Sequence, residues 1–219
     1  MRVFVSWSGG KDSCLAYYKA LKLGFKVSFL LTMLEENGLR SRGHGVKADV
    51  IRLQAESLGV PIVFGKASWE KYEDEFKRIL KNLKNSDGVE GGVFGDIRLE
   101  EHKEWVEKVC GEVGIKAFEP LWNKKYEELL TEFFGNGFEA IIVGVKANLV
   151  DKKWLGEKIS WKFIEYLKNH NIDLFGEAGE YHSLVVSGPT FKRKISIVKS
   201  QKTFKDGYWF LDILKFGLS

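Results

Sequence analysis

Ser8-Gly9-Gly10-Lys11-Asp12-Ser13, set between the apolar run Val3-Phe4-Val5 and the helix-like stretch Leu15 to Leu23, decides the fold of this chain. A glycine pair at the end of a strand lets backbone N–H groups turn inward with no Cβ in the way. The helix that follows aims the positive end of its dipole at the same spot, so the loop is an anion cradle. Lys11 adds a mobile charge, and Ser8 and Ser13 add hydroxyl donors. The spacing does not match G-x-x-x-x-G-K-[ST], so this is not the common nucleotide P-loop. A glycine turn that merely starts a helix is the plainer reading. Strand, loop, lysine and helix in this order favour phosphate.

Outward from the loop, apolar strands alternate with helix-period segments. Strands are predicted at 2–7, 26–32, 60–64, 89–94, 116–118 and 138–144, with helices near 12–23, 46–59, 69–83, 99–114 and 124–135. This βαβα order predicts an α/β fold, a parallel sheet with helices on both faces. In such sheets ligands sit beyond the carboxyl ends of the strands, so the residues just after each strand are the ones to watch. After about residue 146 the pattern changes. A helix near 155–169 precedes strand-like runs at 181–187, 190–199 and 203–213, which reads as a smaller α+β unit. The expected division is a nucleotide-binding domain at 1–145 and a substrate-binding domain at 146–219, with a second substrate in the cleft between them.

Composition narrows the classes. The 219 residues are 44% hydrophobic, enough for a sizeable core, and no apolar run approaches the length of a membrane span. With no signal-peptide pattern, a cytoplasmic location is expected. The net charge of +4 is mild and the charges alternate along helices such as Glu100 to Lys108, unlike a nucleic-acid groove. Cys14 and Cys110 form no C-x-x-C pair, and His44, His102, His170 and His182 form no H-x-x-x-H pair, which speaks against structural zinc. Cys14, without a partner cysteine nearby, reads as a packed thiol.

Several residues on the predicted ligand edge carry chemistry. Asp12 would repel a triphosphate unless a cation intervenes, and Mg²⁺, which takes oxygen ligands and bridges phosphates, is the natural one. Capping of the helix N-terminus is the alternative. Arg40-Ser41-Arg42-Gly43-His44 follows the second strand and could fold over the phosphates as a lid, with His44 as a donor. Asp96, after the strand ending at Phe94, could bind Mg²⁺ or orient a nucleophile, or cap the next helix. Glu177 and Glu180 flank a Gly-Ala-Gly turn ahead of Tyr181-His182-Ser183, and two carboxylates on one short loop suit an ammonium group or a metal. Trp122 lies at another strand edge.

These stretches together resemble one family, the diphthine–ammonia ligases, within the N-type ATP pyrophosphatases of the PP-loop superfamily. The resemblance rests on Ser8–Ser13, Gly43-His44, Gly95-Asp96-Ile97, Glu119-Pro120-Leu121-Trp122, Leu155-Gly156 and the segment Gly176-Glu177-Ala178-Gly179-Glu180-Tyr181-His182-Ser183. Ala178 stands where relatives often carry Gly or Asn. The resemblance implies a Rossmann-like sheet of the adenine nucleotide alpha hydrolase kind. It also implies a reaction in which ATP, ammonia and the diphthine residue of translation elongation factor 2 give diphthamide, AMP and pyrophosphate. Ser8, Gly9, Gly10, Lys11, Asp12, Ser13 and His44 would then hold ATP. Lys11, Asp12, Asp96 and Glu180 would act in catalysis, with Asp12 and Asp96 on Mg²⁺. Diphthine carries a trimethylammonium group, for which Trp122 and Tyr181 with Glu177 or Glu180, and His182 beside them, are the expected pocket. No glutaminase motif is present, so nitrogen is expected from free ammonium. A homo-oligomer is compatible with all of this. Another adenylating pyrophosphatase, such as a tRNA-modifying enzyme, and an ATP-binding protein without turnover are the alternatives.

Overall fold

Val3 and Val5 of strand β1 (Arg2–Ser6) pack into one apolar cluster and Phe4 into another, so the strand is buried on both faces. That is the environment of a central strand in a covered parallel sheet. The computed structural model describes residues 1–219. In it β2 (Lys26–Leu34), β3 (Ile62–Lys66), β4 (Gly91–Val93) and β5 (Lys116–Phe118) run parallel with β1 in the order β3-β2-β1-β4-β5. Helices α1 (Lys11–Lys22) and α2 (Ala48–Leu58) bury Leu15, Val50 and Ile51 against one face. Helices α3 (Tyr72–Asp87) and α4 (Glu100–Val113) bury Phe76, Leu80 and Val109 against the other. Strand order reverses at β1, with β2 and β3 on one side and β4 and β5 on the other. Such a switch point opens a crevice at the carboxyl ends of the strands, and the 8–13 loop sits in it.

Helix α5 (Tyr126–Gly135) leads into a second sheet. Its strands are β6 (Glu139–Lys146), β7 (Tyr181–Ser187), β8 (Ile195–Lys205) and β9 (Tyr208–Leu218), antiparallel in the order β7-β6-β9-β8. This corrects the expected last strand of the parallel sheet: β6 belongs to the second sheet, so a division at 145/146 would cut it from its unit. An unbroken apolar strand such as Ala140-Ile141-Ile142-Val143 looks the same in any buried sheet, and its partners lie elsewhere in the sequence. Helix α6 (Trp161–Asn169) also starts later than predicted. A 3₁₀ turn (Lys152–Trp154) comes first, and residues 156–159 lie alongside β6, with Gly156 N donating to Ile142 O and Ile159 N to Ala140 O. The hairpin turn between β8 and β9 is Asp206-Gly207, both at positive φ (50° and 82°), a two-residue turn matched to strand twist.

One apolar cluster joins the two units. It contains Val3, Val5 and Leu15 together with Leu184, Val185 and Ile213.

Candidate functional site

The loop after β1 is shaped by what crowds it. Gly9 has φ 78°, and a Cβ there would run into the Gln54 side chain. Gln54 is fully buried on α2. Its Oε1 accepts from Trp7 Nε1 (3.0 Å), and its Nε2 donates to Gly9 O (2.9 Å) and Val185 O (2.7 Å). One amide therefore fixes the turn and ties it to β7. At Gly10 a Cβ would lie 2.5 Å from His44 Cε1 and 3.2 Å from Ser183 O. Gly10 N donates to Ser8 Oγ (3.2 Å) and Lys11 N to Ser183 Oγ (3.1 Å), while Ser13 Oγ reaches Gly10 O (3.1 Å).

Lys11 departs from the mobile charge expected of it. Its ammonium donates to Phe175 O (2.5 Å) and Asp12 Oδ2 (3.0 Å), and lies 4.8 Å and 4.9 Å from the ring centroids of Phe175 and Tyr181. The side chain is only 5% exposed. A buried ammonium needs such partners, and the rings supply part of the lost hydration.

Asp12 keeps one carboxylate oxygen, Oδ1, buried and without a hydrogen-bond partner. Burial pushes its carboxyl up, Lys11 pulls it down, and the neighbouring Glu177 and Asp96 carboxylates push it up again, with a net rise. An orphaned, hard oxygen donor beside a second carboxylate fits Mg²⁺. No third His, Cys, Asp or Glu completes a cage, so phosphate oxygens and water would fill the remaining positions. Asp96 itself accepts from His102 Nδ1 (3.2 Å), and that contact raises the His102 pKa.

The acidic loop behaves differently from its sequence reading. Glu177 has both oxygens engaged: Oε1 accepts from Ile97 N (3.2 Å) and Arg98 N (3.0 Å), and Oε2 from Tyr126 OH (2.6 Å). It clamps the turn that carries Asp96, which commits most of its acceptor capacity to the protein. Glu180 closes its own turn, accepting from Ala178 N (3.1 Å). Tyr181 is 2% exposed, with its hydroxyl donating to Leu174 O (2.8 Å) and its ring edge-on to Phe163. Trp122 instead lies beneath Lys103 Nζ at 4.8 Å. The pocket expected from Trp122 and Tyr181 is therefore not formed: Tyr181 is at the start of a core strand, where period-two burial takes its ring inward.

His44 and His182 lie against each other, tilted by 30° with ring centroids 4.8 Å apart, and His182 stacks in turn on Tyr208. Burial holds His44 down at about 4 and His182 at about 3. The 40–47 loop is strapped to β9, with Asp212 Oδ1 accepting from Arg40 (2.7 Å) and Lys47 (3.2 Å). The Cys14 thiol is buried and pushed well up, as a packed thiol should be.

Three hollows meet along this edge, with Trp69 lining all of them. One of 610 Å³ lies between α3 and α4 over Asp96, one of 160 Å³ at the ends of β1 and β2 beside Ser8 and His44, and one of 910 Å³ over Gly43, His182 and Tyr208. Sequence reasoning missed Gln54, Ser183, the Asp212 strap and Trp69. Gln54 did carry a signal, an amide on the apolar face of α2 among Val50, Ile51, Ala55 and Leu58. No helix is long and apolar enough to cross a membrane.

Comparison with known proteins points one way. The diphthamide synthase N-terminal domain profile matches residues 1–117, and the diphthamide synthase C-terminal domain profile matches residues 125–217. Proteins named diphthine–ammonia ligase match at 30% identity in Schizosaccharomyces pombe, over 92% of this chain and 37% of that protein. The Rattus norvegicus protein of that name matches at 28%, over 100% of this chain and 91% of its own, and the Homo sapiens one at 28%, over 92% and 84%. A solved chain from Methanocaldococcus jannaschii, titled a predicted subunit of tRNA methyltransferase, overlays at a TM-score of 0.46 with 19% identity, covering 86% of this chain and 98% of that one. By the two profiles, which between them take in both sheets, the chain belongs to the diphthamide synthase family.

Proposed function

We propose that the chain is an ATP-dependent ligase that amidates the diphthine residue of translation elongation factor 2 with ammonia, releasing AMP and pyrophosphate. The observation that carries this reading is the 8–13 loop at the switch point, beside two hollows of 160 Å³ and 610 Å³ that share Ser6. The loop N–H groups of Gly10 and Lys11 now rest on two hydroxyls, partners that phosphate oxygens replace at small cost. In the first half-reaction a diphthine carboxylate oxygen attacks the α-phosphate and pyrophosphate leaves. In the second, ammonia attacks the acyl carbon, AMP leaves, and a proton passes to solvent or to a nearby carboxylate. The chain's part is to hold the leaving pyrophosphate with loop donors and helix dipole, where charge builds. Asp12 and Asp96 would hold Mg²⁺, which would supply positive charge against the charge developing on the phosphates. Lys11, caged at Phe175 O, supports the loop from beneath and fixes Asp12.

The test is incubation with ATP, Mg²⁺, ammonium and diphthine-bearing elongation factor 2, following AMP release and the mass of the modified histidine. The reading requires AMP together with a loss of about one mass unit, acid to amide. AMP without the mass change would leave an adenylating pyrophosphatase with another substrate, and neither signal would leave an ATP-binding protein without turnover. Gly10→Ala is expected to abolish ATP binding in the same assay mixture, because its Cβ would meet the His44 ring and the Ser183 carbonyl.

A further inference from the structure

The β8–β9 hairpin carries the positive surplus of the chain. Residues 192–219 hold seven lysines and arginines against two aspartates, an excess larger than the net +4 of the whole sequence. One of those aspartates, Asp212, is already committed to Arg40 and Lys47. Lys199 stands directly across from Lys215, and no carboxylate of the chain pairs with either. Like charges opposed on a sheet repel, so the hairpin holds a charge that the chain itself leaves unneutralised. β8 is also an edge strand, last in the order β7-β6-β9-β8, and an edge presents backbone N–H and C=O groups without a strand partner. Ser200–Lys205 keep unbroken register with Tyr208–Ile213, a regular run of six residues, and a bulge sets Lys199 apart at its root. Val198 and Phe204 on the same strand are 65% and 58% exposed. At the hairpin tip Thr203, Phe204 and Lys205 line the 910 Å³ hollow that Gly43 and His182 also line, so this edge ends at the candidate site.

We propose that the outer edge of β8 docks an extended acidic segment of a partner protein, added as a fifth strand to the second sheet. Charge selects this occupant. Edge lysines and a bulge guard against pairing between like edges, and Lys199, Lys202 and Lys205 repel a second copy of the same strand. An acidic strand reverses the sign, since its carboxylates meet those lysines across the new pairing. Lys202 is presented in a fixed place, its Nζ donating to Lys152 O (2.9 Å). Nucleic acid fits less well, because a sugar–phosphate chain has no alternating N–H and C=O groups to match those of a strand edge. The ligase reading enters at one point only: it makes the partner the protein substrate, whose chain would leave the hairpin tip inside the hollow beside His182. The docking edge itself stands on charge, register and exposure.

The probe is a peptide of alternating glutamate and valine, blocked at both ends and titrated into ¹⁵N-labelled protein, with its lysine–valine counterpart and a single-stranded oligouridylate as controls. Saturable amide shifts centred on residues 198–206, and weakened by salt, are expected with the acidic peptide alone. Lys199→Glu combined with Lys205→Glu, both at exposed positions, should weaken binding by about 10-fold. Lys199→Gln with Lys205→Gln, which removes charge without reversing it, should weaken it by about 3-fold, and far-UV circular dichroism checks that both variants fold. Equal shifts from the lysine peptide, shifts centred away from β8, or unchanged affinity in the charge-reversed variant overturn the proposal. So does tighter binding of oligouridylate at the same residues, which would make the hairpin a nucleic-acid surface. With diphthine-bearing elongation factor 2 as substrate, the charge-reversed variant should raise KM for the factor by about 10-fold and keep kcat and KM for ATP. Peptide binding at β8 in a protein without ligase activity counts against the ligase reading alone. An active ligase whose charge-reversed variant keeps its KM for the factor counts against the docking edge alone.

Discussion

The His44–His182 pair is held neutral beside the 8–13 loop. An uncharged imidazole there donates from one nitrogen to Ser183 O while leaving the loop's own field unopposed. Because both folded pKa values, about 4 and about 3, lie below the ordinary 6.5, the unfolded chain takes up protons first as pH falls. The pair's contribution to stability is therefore full above pH 6.5 and lost as pH drops toward about 4 for His44 and about 3 for His182. We expect about 2 kcal/mol of acid destabilisation from the pair after solvent screening. Urea unfolding at neutral and acid pH should show that loss in the native chain and less of it in His182→Gln; equal losses would mean that His182 bears no desolvation cost. Glu119 runs the other way. Burial, then Asp96 and Glu107, push its carboxyl up to about 7, with Lys103 opposing, and its Oε1 has no partner. Its folded pKa lies above the ordinary 4.5, so its contribution is intact below that pH and erodes as pH rises through 7. Glu119→Gln should therefore stabilise the chain by about 1–2 kcal/mol at mildly alkaline pH and have no effect near pH 4.5.

Between elements, Glu177 joins the 173–180 loop to the turn after β4 and to α5, and so decides where Asp96 sits. A carboxylate accepting two backbone N–H groups and a phenol makes charge-assisted bonds. Glu177→Ala should cost about 2–3 kcal/mol, and Tyr126→Phe about 1 kcal/mol. A double-mutant cycle should show coupling between them, and amide exchange should quicken at Ile97 and Arg98 in Glu177→Ala. Unchanged exchange there would mean that the 95–98 turn holds itself. Elements of this kind also show how far the sequence could be read. The strand, loop and helix around residues 8–13 were legible because they are contiguous, and period-two and helical patterns located nearly every element. The Asp206-Gly207 hairpin signal was present but passed over in favour of a break near 200. What could not be read was pairing across distance. The side of the molecule that β6 joins, the Phe175 carbonyl that captures Lys11, and the meeting of Tyr72 with Trp105 all depend on segments brought together only by folding.

At the scale of the whole molecule, the two family profiles meet near residue 120, which suggests separable halves, but the packing does not divide there. Helix α1 lies between the parallel sheet and β7. Lys11 N donates to Ser183 Oγ, Val185 N donates to Gly9 O (2.9 Å), and Gln54 spans Gly9 and Val185 from α2. The 8–13 loop is thus held on one side by each sheet. Removing the second unit would expose the apolar face of α1 and α2 and strip the buried Gln54 amide of one of its acceptors, each unfavourable for a marginally stable fold. Unfolding should accordingly be a single cooperative transition, with tryptophan fluorescence (Trp7 in the first unit, Trp154 and Trp209 in the second) and far-UV circular dichroism giving coincident midpoints. Two separated transitions would show that the shared core carries little energy. Residues 1–124 alone should then fold, and the loop would owe its shape to the parallel sheet rather than to both sheets at once.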